Sequence, residues 1–300
     1  MISAINKDKM KNLFEIKNLR YSYDKQYKEG ISKVVLEIDE LNIPKGKKVF
    51  IVGESGIGKS TILETLGMMN DTIVPDKNTE FKFYLENNES IDLKNLWNKN
   101  NDKALSKFRL DHYSFIFQST NLMRNFTAFE NIAFTRMLQG HSKEESFERT
   151  RSILKDLGLE HVNETRMTQE LSGGQQQRLA FARAVIPDFT VLFGDEPTGN
   201  LDGENAMRVM EVLSKKLDGT NSASAIIVSH DMHLAVSFAD VIIKIRKAER
   251  EKKADSDEVV SYGIIDNTCI YTPVNGDNAN WTNGVDTYDA MTFETFLRKK

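Results

Sequence analysis

The stretch VFIVGESGIGKSTILETL, residues 49–66, changes texture twice. A short apolar run gives way to a glycine-rich loop, and the loop to a segment whose apolar residues recur at three- and four-residue spacings. Strand, loop and helix follow in that order. Because VFIV shows no polar alternation, its strand is one covered on both faces, as in a parallel sheet. Three other runs share that character: YSFIF (113–117), TVLFG (190–194) and AIIVS (225–229). Helical patterns such as ENAMRVMEVLSKKL (204–217) lie between them. The alternation predicts an α/β fold with helices on both sides of a parallel sheet. No internal repeat or coiled-coil heptad run is found.

The loop, Gly53-Glu54-Ser55-Gly56-Ile57-Gly58-Lys59-Ser60, fits G-x-x-x-x-G-K-[ST] between a strand and a helix. Its chemistry is that of a triphosphate cradle. Backbone N–H groups must converge on phosphate oxygens, and glycine permits both the angles and the close approach. The following helix turns its positive dipole end toward the same anion. Lys59 is expected to reach the β- and γ-phosphates, and the Ser60 hydroxyl to ligate Mg²⁺. A plain strand-to-helix turn needs one or two glycines and has no use for Lys-Ser at the helix start. A second element ends the run VLFGDEP (191–197). Asp195 stands at the carboxyl end of its strand, where it can hold hydrated Mg²⁺. Glu196, one residue on, would face the γ-phosphate and polarise the attacking water.

Between these two elements lies LSGGQQQR (171–178), and with it the whole set resembles the ATP-binding cassette (ABC) ATPases. LSGGQQQR is similar to their signature motif. Gln118, closing YSFIFQ, matches the Q-loop glutamine; Gly199-Asn200-Leu201-Asp202 matches the D-loop; His230 after AIIVS matches the switch histidine. The resemblance spans roughly residues 14–246 and implies a P-loop NTPase core with a parallel sheet, an antiparallel β subdomain and a helical signature subdomain. It implies a cassette over 1–248, with the helical part at about 119–185, and an extension over 249–300.

For the site, the resemblance implies Glu196, His230 and Gln118 as catalytic residues. ATP would be bound by residues 53–61, with Thr61 closing the loop, and by Tyr23 stacking on adenine, Tyr21 being the competitor. Ser172, Gly173, Gly174, Gln175 and Asp202 would contribute too. Ser60, Gln118 and Asp195 would surround the metal. Two copies are expected to pair head to tail, the signature of one closing over the ATP of the other.

Within the family, STNLMRNFTAFENIAF after Gln118 and EPTGNLD (196–202) resemble the lipoprotein-release, macrolide-export and cell-division branch. Its ATPases drive separate membrane permeases for export, extraction or mechanotransmission, which implies a peripheral cytoplasmic location at the inner face of the membrane. The alternative is a soluble relative acting on DNA or ribosomes. That class carries a long coiled-coil insertion or tandem cassettes, and a basic surface, none of which is present.

Composition agrees with these limits. The chain of 300 residues is 40% hydrophobic and 28% charged, with a net charge of −4, so no nucleic-acid partner is expected. Its one cysteine, Cys269, excludes an internal disulfide and suits a reducing cytoplasm. The start MISAINKDKMKN has no apolar signal core, and no window approaches a membrane span.

The other residue types read as structural. His230 and His233, three apart, form a poor metal pair beside a hard oxygen site. His112, His141 and His161 have no evident partner, Trp97 and Trp281 read as packing residues, and Cys269 as a strand residue. Residues 76–102 and 247–258 are polar or charged enough to be solvated loops or exposed helical faces, the second a linker or hairpin tip. The longer stretch 76–112 departs from the family's short β segment, with no tight turn to organise it. The proline that the family places ahead of the aspartate strand is displaced to Pro187. YGIIDNTCIYTP reads as strands and TFETFLRKK as a short amphipathic helix.

Overall fold

Alternate residues of the same strands point into two separate cores. Val49, Ile51, Val191, Phe193, Ile226 and Val228 join one apolar cluster, while Phe50, Val52, Leu192, Ala225 and Ile227 join the other. That is the two-residue period of a strand covered on both faces. The computed structural model describes residues 12–23, 34–70, 73–74, 76–98, 102–219, 223–253 and 256–299.

The chain opens with β1 (Asn12–Ser22), β2 (Val34–Pro44) and β3 (Lys48–Val52), followed by α1 (Lys59–Leu66). Next come β4 (Glu80–Tyr84), β5 (Ser90–Asp92), α2 (Leu93–Asn98), α3 (Asp102–His112) and β6 (Tyr113–Ile116). The helical layer is α4 (Ala128–Leu138), α5 (Lys143–Asp156) and α6 (Gly173–Val185). Strand β7 (Val191–Asp195), α7 (Gly203–Asp218), β8 (Ser224–Val228), α8 (Met232–Phe238) and β9 (Val241–Lys244) complete the parallel core. The chain ends in β10 (Arg246–Lys253), β11 (Ser256–Ile265), β12 (Ile270–Val274), β13 (Asp277–Thr282), β14 (Thr287–Asp289) and α9 (Ala290–Arg298).

Five strands run parallel in the order β9-β3-β8-β7-β6. The four runs read as buried strands in the sequence are β3, β6, β7 and β8, so the α/β expectation holds. A second sheet, β10-β11-β2-β1-β4-β5, packs one face onto the first through Leu13, Phe14, Ile16 and Leu36. It is antiparallel except where β11 runs parallel to β2, pairing Gly263 with Leu36.

Capping fixes the helical layer. Thr127 and Ser142 accept from the backbone N–H of Glu130 and Glu145 at the starts of α4 and α5. Arg136, 1% exposed, is shared among Glu145, Asp188 at 3.4 Å and His141 at 3.2 Å. This ion group, buried at the arginine and exposed at its carboxylates, ties α4 and α5 to the loop before β7.

Several expectations change. Residues 85–89 do form a tight turn: Asn88 donates its N–H to the Leu85 carbonyl at 2.9 Å, and Leu85 to Glu89 at 2.8 Å. Asn88 takes φ 65, a left-handed angle that asparagine tolerates. The segment is therefore a hairpin followed by two helices. Cys269 ends a 3-10 turn, Asn267–Cys269, rather than lying in a strand, because Asp266 caps that turn through the Thr268 N–H. The three unassigned histidines have partners: His112 meets Thr190 at 3.1 Å, His141 meets Asp188 at 3.1 Å and His161 meets Gln175 at 3.1 Å. Residues 1–11 and 254–255 lie outside the described residues, and with them most of MISAINKDKMKN and the hairpin tip.

The segment expected as an extension is built into both sheets. Its hairpin β10-β11 joins β2, and β12 pairs antiparallel with β9, Ile270 opposite Ile243, so that β13 and β14 prolong the central sheet. Trp281 is fully buried, stacks on Phe293 at 5.3 Å and donates its indole N–H to the Asn278 carbonyl at 3.2 Å. Trp281→Ala should cost about 3–5 kcal/mol in a single cooperative urea transition of the whole chain. A separate early transition of the C-terminal strands would contradict this continuity.

Candidate active site

The phosphate loop spans the gap between β3 and α1. Gly58, the residue before α1, has φ 106, and Gly56 has φ 77, both closed to ordinary side chains. No side chain caps the start of α1, so its first N–H groups stay available to an anion. Lys59 is 6% exposed and donates to the Gly53 and Glu54 carbonyls at 3.0 and 2.7 Å. Burial lowers its pKa, while Glu196 and Asp195 pull in the opposite direction.

Parallel pairing brings the other candidates alongside. Ser60 Oγ donates to Asp195 Oδ1 at 3.4 Å, joining the first turn of α1 to the end of β7. Glu196 follows, with His230 Nε2 at 3.0 Å from one carboxylate oxygen and Gln118 Nε2 at 3.5 Å from the other. Side chains from two other strand ends thus meet on the one carboxylate. Glu196 holds a left-handed backbone, φ 50, which costs a non-glycine residue about 1–3 kcal/mol. Its N–H bonded to the Val228 carbonyl at 3.0 Å, and its carbonyl accepting from Gly199 at 3.1 Å, keep it there.

Two aromatic candidates separate clearly. Tyr21 is fully buried in the core, which pushes its phenol pKa up. Tyr23 is 61% exposed, and its hydroxyl lies 2.6 Å from Thr61 Oγ1 beside the phosphate loop.

The signature residues stand apart from this cluster. Ser172 caps α6: its hydroxyl accepts from the Gln175 N–H at 3.3 Å, and Gln175 Oε1 accepts from the Ser172 N–H at 2.9 Å. Ser172 and Gly173 are exposed, and among the described residues no hydrogen bond joins them, Gly174 or Gln175 to the phosphate loop. Asp202 caps α7 through Asn205, whose hydrogen bonds hold its pKa below the usual carboxylate value.

One contributor was overlooked in the sequence. Gln177, 1% exposed, donates to the Pro197 carbonyl at 3.2 Å and so links the signature helix to the turn after Glu196. Its signal was its place three residues after Gly174, on the inner face of a helix whose other inner residues are apolar. Beside the loop, a cavity of about 980 Å³ is lined by Gly53, Glu54, Ser55, His230 and, from the C-terminal helix, Arg298. Among the described residues there is no cluster of three His, Cys, Asp or Glu side chains able to cage a metal alone.

Residues 36–199 match the family described as ABC transporter. The lipoprotein-releasing system ATP-binding protein LolD of Aquifex aeolicus is 40% identical over 212 residues, which cover 69% of this chain and 88% of the relative. LolD of Colwellia psychrerythraea is 35% identical over 235 residues, 78% of this chain and 85% of the relative. The macrolide export ATP-binding/permease protein MacB of Mannheimia succiniciproducens is 36% identical over 239 residues, but these make up only 34% of that longer protein. Among solved structures, the dimeric ATP-binding cassette MJ0796, bound to ADP and Pi in a post-hydrolysis state, superposes with a TM-score of 0.63. It is 32% identical, over 77% of this chain and 93% of that one.

Burial is the first cause of a raised pKa at Asp195; neighbouring Glu196 and Glu64 add to it, while Ser60 and Lys59 oppose it. Its ionised form therefore weighs against the folded, nucleotide-free chain, a penalty that is absent in acid and appears as pH rises through the folded pKa. Asp195→Asn should raise the urea midpoint of that chain at pH 7, with the gain fading below the carboxylate range. An unchanged or lower midpoint at pH 7 would show that the carboxylate carries no such penalty.

Proposed function

Given that the chain belongs to the ABC transporter family and is an ATPase subunit of the lipoprotein-release and macrolide-export type, we propose that two copies close head to tail around two ATP. Closure drives a separate membrane-embedded permease for export, extraction or mechanotransmission. The observation that carries this reading is the meeting of Gln118 and His230 on the Glu196 carboxylate beside the Ser60–Asp195 pair.

Each residue then has a task. The phosphate loop, Gly53 to Thr61, grips the phosphates through its N–H groups and Lys59, and exposed Tyr23 offers its ring to adenine. Glu196 takes the proton from the attacking water; Gln118 and His230 hold that carboxylate and the γ-phosphate end in line. Ser60, Asp195 and Gln118 supply hard oxygen donors, and the half-buried Asp195 carboxylate fits a cation that would relieve its desolvation. Bound there, Mg²⁺ would neutralise charge on the β- and γ-phosphate oxygens.

The second copy accounts for the signature. A Cβ on Gly173 would meet nothing within 4 Å, and one on Gly174 only Leu201 at 3.9 Å. Packing among the described residues therefore gives no reason for the glycines. A partner's ATP does: bare amides and the Ser172 hydroxyl, whose proton is free to donate while its oxygen caps α6, suit a γ-phosphate. By the same reading Asp202, at the start of α7, meets the partner's nucleotide as well. In this reading residues 1–248 are the cassette, 119–185 its helical part and 249–300 an extension.

No helix among the described residues is long and apolar enough to cross a membrane, so the reading assigns the membrane part to another subunit and this chain to the inner face. Glu196→Gln should lower turnover by roughly 10²–10⁴ while ATP-bound dimers accumulate on size exclusion. Trapped with ATP in cells, the same variant should bring down a permease from detergent-solubilised membranes. Normal turnover would remove Glu196 as the base, and dimers recovered without a membrane subunit would remove the permease. Ser172→Arg should leave ATP binding to the single chain intact and prevent pairing, measured by calorimetry and light scattering; pairing that survives would contradict the shared site.

A further inference from the structure

The C-terminal strand β11 passes directly behind the phosphate loop, and it does so at a glycine. A Cβ built on Gly263 would lie 2.5 Å from the backbone oxygen of Ile57, 2.8 Å from Leu36 Cδ1 and 2.9 Å from Ile245 Cγ2. The first of these is a main-chain atom of the loop itself. Leu36 touches the loop as well, since a Cβ on Gly58 would meet Leu36 Cβ at 3.3 Å. The second half of the loop is therefore seated in a notch between β2 and β11, which run side by side with Gly263 opposite Leu36.

We propose that Gly263 is a positioning residue for nucleotide binding: by having no side chain, it lets the Ile57–Gly58 peptide sit back far enough for the Gly58 N–H to face the phosphates. This rests on the reading of residues 53–61 as the ATP cradle. The peptide unit is planar, with the Ile57 carbonyl and the Gly58 N–H on opposite sides. Pressing on the carbonyl from behind moves the N–H in front. Ile57 has little room to move sideways, because its side chain is 6% exposed and packed in the core beneath the loop. Nor does Gly263 need its glycine for backbone reasons, since its φ lies outside the left-handed region. The requirement comes from the loop. Gly263 thereby shares in the ATP site from behind the loop.

The test compares Gly263→Ala with Gly276→Ala in the full chain, by titrating MgATP calorimetrically and by thermal unfolding without nucleotide. Gly276 lies in the β12–β13 turn with φ 75 and nothing near its Cβ, so its alanine strains the same C-terminal segment without reaching the loop. Gly263→Ala should weaken ATP binding by roughly tenfold or more, the scale of a misplaced binding group, whereas Gly276→Ala should lower the melting temperature at unchanged affinity. If Gly263→Ala does not fold, Gly263→Ala with Leu36→Val and Ile245→Ala relieves the side-chain crowding but keeps the Ile57 contact, and the same loss of affinity is expected. Affinity within about twofold of the wild type for a folded Gly263 variant overturns the proposal, because β11 and not the loop has then given way. A wild-type chain that binds no MgATP overturns the ATP reading and this proposal together.

Discussion

The site depends on the register of four parallel strands. Ile116 lies opposite Gly194 on β6 and β7, Asp195 opposite Val228 on β7 and β8, and Val228 opposite Ile51 on β8 and β3. Because the strands run the same way, their carboxyl ends form one line, and a candidate site residue follows closely on each end. Gly53, Gln118, Glu196 and His230 all fall within two residues of that line. The ladder even continues past the strands: Glu196 donates to Val228, and Ser229 to Ile51 at 3.4 Å. A slip of one residue in any of these pairings would turn the site residues to the opposite face of the sheet.

A strained backbone sits at the centre of that line. Glu196 in a left-handed conformation aims its carboxylate between His230 and Gln118, and backbone bonds on both sides hold it there. The turn that follows is tied by Gln177 to α6, whose exposed start bears the signature. A shift of the signature helix would thus be felt one turn from Glu196. The connection is a hydrogen bond to a main-chain oxygen, so it reports position rather than charge.

Much of this was legible in the sequence. VFIV, YSFIF, TVLFG and AIIVS announced the buried strands because apolar runs covered on both faces have few other uses, and Gly53–Ser60 announced its loop through spacing alone. Long-range pairing was not legible. Nothing local in YGIIDNTCIYTP says that β11 will lie along β2 or that β12 will extend the sheet from β9. The hairpin at 85–89 was hidden because Glu86-Asn87-Asn88-Glu89 reads as polar loop, and only the left-handed Asn88 reveals the turn. Histidine partners were hidden for the same reason: His112 meets a residue 78 positions away. Of the signature, the sequence carried the identity and the structure its surroundings, including the open space around Gly173.

Sheets can also lengthen by accepting strands from other molecules, and the edges here discourage it. The central sheet ends in β6 and β14, four and three residues long, and the second sheet ends in the three-residue β5. The remaining edge, β10, is long, but it reads RKAEREKK. Short strands offer too few unpaired amides to template a neighbour, and a charged one makes docking costly. Crowded copies of this chain are thereby steered away from edge-to-edge aggregation.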